Sequence, residues 1–254
     1  MLARRQILKG VAGWPLATVL ANPALARSVA ASLPEVEIRT AAGRSVTATF
    51  AQTRKASAPT VLLVHEWWGL NDQIKAVAAE FAGLGYHALA VDLYDGNVGT
   101  TRDEARSYMK SVKSDEAVDT LVSWAAWLKK HENASGKIGT VGWCFGGGWS
   151  LMTGIKTPVD ATVVYYGNVA RTATELKSLK GPVLGHFASR DKWINQKMVS
   201  GFEKEMTSAG KALTVHWYEA DHAFANPTSA RYDEGDAKLA WQRTQTFFEQ
   251  HLGS

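Results

Sequence analysis

Gly142-Trp143-Cys144-Phe145-Gly146-Gly147-Gly148 sets a thiol between glycines where an apolar run ends and a helical pattern begins. Glycine two residues before and two after a central nucleophile is what a sharp strand-to-helix turn requires, because side chains there would meet neighbouring backbone. Such a turn aims Sγ of Cys144 into a cleft, and the unpaired amides and dipole of the helix start favour an anion there. The chemistry this predicts is nucleophilic attack on an acyl carbon, which needs a base for the thiol proton and a group to orient the base. Asp191, in Ala188-Ser189-Arg190-Asp191-Lys192-Trp193, and His222, in Glu219-Ala220-Asp221-His222-Ala223-Phe224, each follow a later apolar run. Nucleophile, acid and histidine in that order fit His222 as base and then acid, with Asp191 orienting the imidazole. Asp221 is the weaker candidate, since adjacent loop residues seldom face each other productively. Singly, each has a plainer reading: a small buried cysteine, a helix-capping aspartate, a satisfied loop histidine. The ordered set of three points to catalysis.

His65-Glu66-Trp67-Trp68-Gly69 closes an earlier apolar run. A loop after such a strand supplies one oxyanion donor and the residue after the nucleophile supplies the other, which predicts the backbone amides of Trp67 and Phe145. Metal binding is not expected: a zinc-binding helix needs a second histidine four residues on, and Gly69 and Ser135 stand at those positions after His65 and His131.

The elements that must position these groups follow from hydrophobic periodicity. Val36–Arg39 and Val46–Ala51 alternate around Ala42-Gly43 as an antiparallel hairpin. Continuous apolar runs at 60–64, 88–91, 138–141, 161–165, 183–187 and 213–217 read as strands buried on both faces. Helical patterns lie near 72–84, 102–110, 115–131, 146–155, 196–209 and 236–251. This alternation predicts an α/β single domain over 34–254, a mostly parallel central sheet flanked by helices.

The 254 residues contain 28 Lys and Arg against 24 Asp and Glu. Arg4, Arg5 and Lys9 account for three of those bases, so the rest of the chain is nearly neutral and lacks a basic stripe for nucleic acid. Arg4-Arg5, a weakly apolar stretch from Gly10 to Leu20 and Ala24-Leu25-Ala26 read as a cleaved twin-arginine export signal over 1–26. That reading predicts a periplasmic protein with no stable membrane association once the signal is gone. Cys144 is the only cysteine, so an intramolecular disulfide is excluded.

Cys144 in its elbow, His65-Glu66 before the oxyanion loop, Asp92-Leu93-Tyr94 after the next strand and Asp221-His222-Ala223-Phe224 together resemble the dienelactone hydrolase (carboxymethylenebutenolidase) family across most of the chain. The resemblance implies an α/β-hydrolase fold, a triad of Cys144, His222 and Asp191, no cofactor, and a role for Glu66 in helping to deprotonate the thiol. Family members hold a substrate carboxylate with arginines shortly after the Asp-Leu-Tyr segment and after the histidine. Here those places read Asp95-Gly96-Asn97 and Ala225-Asn226-Pro227, with Arg231 and Lys192 the nearest cations in sequence.

The expected function is hydrolysis of a small ester or lactone by a monomer, through a thioester acyl-enzyme. Thiol nucleophiles suit strained lactones. Among Trp67, Trp68, Tyr94, Trp143, Trp149, Trp193 and Phe224, substrate contact is expected from Trp67, Tyr94 and Phe224, and packing from Trp143. The competing readings are a non-catalytic periplasmic binding protein that keeps the fold, and a redox thiol, for which there is no resolving cysteine.

Overall fold

Ala58–Val64 (β3) and His87–Val91 (β4) are buried at every position, the pattern of strands covered on both faces. In the computed structural model, which describes residues 22–253, they pair in parallel from Thr60↔His87 to Val64↔Val91. The chain divides into two compact units, the first ending at Gly136 and the second starting at Lys137.

The first unit contains α1 (Pro23–Ala30), β1 (Glu35–Arg39), β2 (Ser45–Ala51), β3, α2 (Asp72–Gly83), β4, α3 (Arg102–Ser111) and α4 (Ser114–Lys130). The expected hairpin is present: β1 and β2 pair antiparallel from Glu35↔Thr49 to Arg39↔Ser45, with Gly43 at φ +83° in the turn. β2 also pairs antiparallel with β4, so the strand order here is β1-β2-β4-β3. Side chains cap the helix starts: Asn71 accepts from the Ile74 amide, and Thr101 with Glu104 forms a reciprocal capping box.

α1 was not anticipated as a helix. Asn22 accepts from the amides of Ala24 and Leu25, and Ala26, Val29 and Ala30 are buried, with α1 packed on α2. Ala24-Leu25-Ala26, read above as a processing site, thus lies inside a packed helix, whereas Arg4-Arg5 and the stretch from 10 to 20 lie outside the described residues.

The second unit takes up most of β5 (Ala134–Trp143), followed by α5 (Phe145–Lys156), β6 (Ala161–Tyr165), α6 (Ala173–Leu176), β7 (Val183–Ala188), α7 (Gln196–Ala209), β8 (Leu213–Tyr218) and α8 (Glu234–Leu252). Its strands pair in parallel in chain order, β5-β6-β7-β8. Leu151, Val164, Phe187, Val199, Phe202 and Met206 pack between strands and helices as one core. β6 and β7 are buried throughout. β8 is not: Thr214 and Trp217 are exposed and only Tyr218 is buried, because it is the last strand of the order, which corrects the reading of 213–217 as covered on both faces. No helix among the described residues is long and apolar enough to cross a membrane.

A polar network crosses this core. His186 on β7 bonds Tyr218 Oη at 2.8 Å and Thr244 Oγ1 at 3.0 Å, while Tyr165 Oη meets the same Thr244 hydroxyl at 2.6 Å. Arg243 donates to Tyr218 Oη at 3.1 Å. The hydroxyls satisfy both ring nitrogens of a fully buried histidine.

Candidate active site

β5 runs straight into the elbow. Cys144 lies between β5 and α5 at φ +53°, ψ −116°, a conformation that L side chains rarely adopt. The glycine spacing has a direct steric cause, since a Cβ on Gly142 would lie 2.0 Å from the carbonyl oxygen of Gly146. Farther along the same turn, Gly147 lets α5 approach the end of β6: a Cβ there would lie 2.8 Å from both Tyr165 O and Gly167 Cα. The Cys144 amide donates to Tyr165 O at 3.0 Å, tying the elbow to β6. Phe145 is the first residue of α5, and first-turn amides have no acceptor within their own helix.

The loops after β7 and β8 supply the partners. His222 Nε2 lies 3.1 Å from Cys144 Sγ, and His222 Nδ1 donates to Asp191 Oδ2 at 2.5 Å. The Asp191 side chain is fully buried; its Oδ1 accepts from the amides of Trp193 at 2.8 Å and Ile194 at 3.1 Å, an Asx-type turn that fixes the carboxylate. The two loops are bonded to each other: the Arg190 amide donates to Ala220 O, and the Arg190 side chain pairs with Asp221 at 3.5 Å. Asp221 therefore faces Arg190, and the carboxylate on the imidazole is that of Asp191. Three backbone-strained residues gather here, for Tyr166 at φ +36° and Ala223 at φ +68° join Cys144.

Burial lowers the affinity of His222 for a proton, but its bonds to Asp191 and Cys144 outweigh that and push its pKa up to about 10. Burial acts on Asp191 toward a higher value; the bond and charge of His222 and the two backbone amides overcome it and hold the carboxyl below its usual range. Both shifts favour an imidazolium beside a carboxylate.

Around the imidazole, Tyr166 approaches at a ring-centroid distance of 5.1 Å and Trp193 at 5.2 Å. Neither contact was read from the sequence, although Tyr165-Tyr166-Gly167 at the end of β6 is an aromatic pair at the strand end beside the elbow. Phe224 is 0% exposed and packs on Tyr166 and Tyr218, so it lies beneath the histidine loop and presents no surface to a ligand. Trp143 stacks on Tyr165 as a packing residue.

In the first unit, Glu66 and Trp67 lie on a turn whose carbonyls are pinned in succession. His65 Nδ1 donates to Glu66 O at 2.6 Å, Tyr94 Oη to Trp67 O at 3.2 Å and the Gly99 amide to Trp68 O at 2.8 Å. A carbonyl only accepts, so the His65 proton sits on Nδ1, and Nε2 accepts from the Leu93 amide at 3.2 Å. Burial keeps this histidine below its ordinary pKa despite the Glu66 carbonyl and Asp92. Glu66 and Tyr94 are buried, and Tyr94 braces this turn, whereas Trp67 is half-buried against Trp68. Asp92 accepts from the Tyr94 and Gly96 amides, which gives the Asp92-Leu93-Tyr94 segment a turn-forming role. Among the described residues there is no cluster of three or more metal-ligating side chains.

The sequence profile described as Dienelactone hydrolase family matches residues 46–252, running through both units. Protein usf of Aquifex pyrophilus is 31% identical over 211 residues, 79% of this chain and 91% of that one. Carboxymethylenebutenolidase of Pseudomonas putida is 27% identical over 227 residues, covering 84% and 94%. A Klebsiella pneumoniae crystal structure assigned as a dienelactone hydrolase superposes with a TM-score of 0.76 at 25% identity, over 86% of this chain and 99% of that one.

Proposed function

Because the chain belongs to the dienelactone hydrolase family, α/β-hydrolases that act on small esters and lactones, we propose that it works through a Cys144-His222-Asp191 triad and a thioester acyl-enzyme. The observation that carries this reading is the unbroken chain of contacts from Sγ to Nε2 at 3.1 Å and from Nδ1 to Asp191 at 2.5 Å.

His222 takes the thiol proton, and Sγ attacks the carbonyl carbon of the substrate to give a tetrahedral oxyanion. The Phe145 amide at the start of α5 is suited to receive that charge. Collapse breaks the C–O bond; the imidazolium returns its proton to the departing alkoxide, and the acyl group stays on sulfur as a thioester. With a lactone, the alkoxide remains tethered and the intermediate is a hydroxyacyl thioester. Water then attacks the thioester as His222 accepts its proton, releasing the acid and restoring the thiol. Asp191 keeps the imidazole in the tautomer that presents Nε2 to sulfur and stabilises its charged form.

Mass spectrometry after rapid quenching with a slow activated ester tests the reading. The expected product carries one acyl group on Cys144 in the wild type and none in Cys144→Ala; acylation elsewhere, or turnover that survives Cys144→Ala, defeats it.

We also propose export on the strength of residues 1–26 alone. Replacing Arg4 and Arg5 with lysines should trap precursor in the cytoplasm, and normal periplasmic accumulation of that variant would refute export. Processing after Ala26 would require the packed helix Pro23–Ala30 to unwind.

A further inference from the structure

The His222 side chain lies on a loop yet is only 13% exposed. Two rings flank it. Tyr166 is buried and its ring is tilted 60° to the imidazole; Trp193 stands nearly perpendicular at 79°. Trp193 is itself 62% exposed, more than any other large hydrophobic residue described, so core packing does not account for an indole at this place. The Arg231 guanidinium lies over its ring, 5.6 Å from the centroid. The backbone amide of Trp193 donates to Asp191 Oδ1, so one short turn both holds the triad acid and carries the indole to the triad base.

We propose that Trp193 is a positioning residue for His222: steadied by Arg231, its indole limits rotation of the imidazole and keeps Nε2 directed at Cys144 Sγ. The torsion that turns a histidine ring is broad and soft, so a ring bonded at two nitrogens still gains precision from a neighbour that blocks its swing. An indole beside an imidazolium also adds a cation–π attraction that the neutral ring lacks. Tyr166 does this from the buried side and Trp193 from the solvent side. Substrate need not touch either ring for the effect to operate.

The inference rests on the triad reading, and its test separates the two. Cys144 is the only cysteine, so the rate of alkylation by iodoacetamide reports on its pairing with His222 without any ester being turned over. Trp193→Ala should slow alkylation and kcat roughly fivefold, the scale of a cation–π contact at an exposed site, with KM unchanged. Trp193→Phe should recover the wild-type rate to within about twofold, because a ring is retained. If Trp193→Ala loses its far-UV circular dichroism, Trp193→Leu takes its place, with the same slowing expected. Alkylation of the Ala or Leu variant at the wild-type rate overturns the proposal, as does a rise in KM with kcat unchanged, which would make Trp193 a substrate contact only. His222→Ala is the control for the triad itself: its alkylation at the wild-type rate would refute the pairing, whereas a slow His222→Ala with a normal Trp193→Ala would refute only the role of Trp193.

Discussion

His222 and His186 are both largely buried in the second unit, and both ring nitrogens of each are engaged, yet their proton affinities are shifted in opposite directions. Burial pushes both toward the neutral form. At His186 nothing reverses it: the partners are the hydroxyls of Tyr218 and Thr244, and the nearby His216 and Arg243 add repulsion, so its pKa falls well below the ordinary 6.5. At His222 a buried carboxylate and a thiol reverse the sign and raise it to about 10. Burial alone therefore does not decide what a histidine does; the acidity of the groups on its two nitrogens does. In one unit a histidine bonded to hydroxyls ties β6, β7, β8 and α8 together, while a histidine bonded to a carboxylate and a thiol holds its proton more tightly.

The contrast breaks most completely at the triad. Cys144→Ala and His222→Ala should each lower kcat by about 10⁵-fold or more, the scale of losing a member of such a set, with circular dichroism unchanged. Asp191→Asn should cost about 10⁴-fold by removing the group that fixes the tautomer and the charge. It should also drop the His222 pKa below that of the wild type in an NMR titration, making the ring resemble His186. A His222 pKa that stays near 10 in that variant would mean Asp191 is not the cause.

On the other side, Thr244→Val should destabilise the fold by about 1–3 kcal/mol in urea unfolding, since it strips a partner from His186 and from Tyr165. Activity should stay within about twofold, because the Thr244 hydroxyl bonds Tyr165 and His186 and not a side chain of the triad. A large kcat loss with normal stability would show that the two histidines are not independent.

The effects of pH on stability run in opposite directions at the two histidines. A raised histidine holds its proton in the folded state, so the contribution of His222 is complete below 6.5 and is lost as pH rises through about 10. A lowered histidine stays neutral when folded, so the contribution of His186 is complete above 6.5 and is lost as pH falls below it. The stability gap between wild type and His222→Asn should shrink toward alkaline pH, and that between wild type and His186→Gln toward acid pH. Denaturation midpoints across pH check both, and parallel profiles would contradict the assignment.

Much of the site was legible because its requirements are local. Gly142 stands two residues before Cys144 in a turn where a Cβ would collide with the backbone of Gly146, so this steric demand is written at fixed spacing. Asn71, Thr101 and Glu104 fix helix starts over a similarly short reach, as their side chains bond amides three or four residues away. The packing of Phe224 and Tyr94 was not legible, because aromatic residues near an elbow motif look alike in sequence whether they face a cleft or brace a loop. Only packing separates them: Phe224 is sealed beneath Tyr166 and Tyr218, and Tyr94 holds the Trp67 carbonyl. The edge position of β8 was equally hidden, since pairing order is not encoded by the apolar run itself.

By itself the amino-acid order determined the alternation of strands and helices, the elbow and the succession of cysteine, aspartate and histidine, because periodicity and turn chemistry act over a few residues. Tertiary structure alone decided that Arg190 occupies Asp221, leaving His222 to Asp191 as the order of the motifs predicts, and that Tyr166 and Trp193 enclose the imidazole. Those contacts join residues dozens of positions apart, and their existence depends on how parallel strands bring the loops at their ends together, which no short window of sequence specifies.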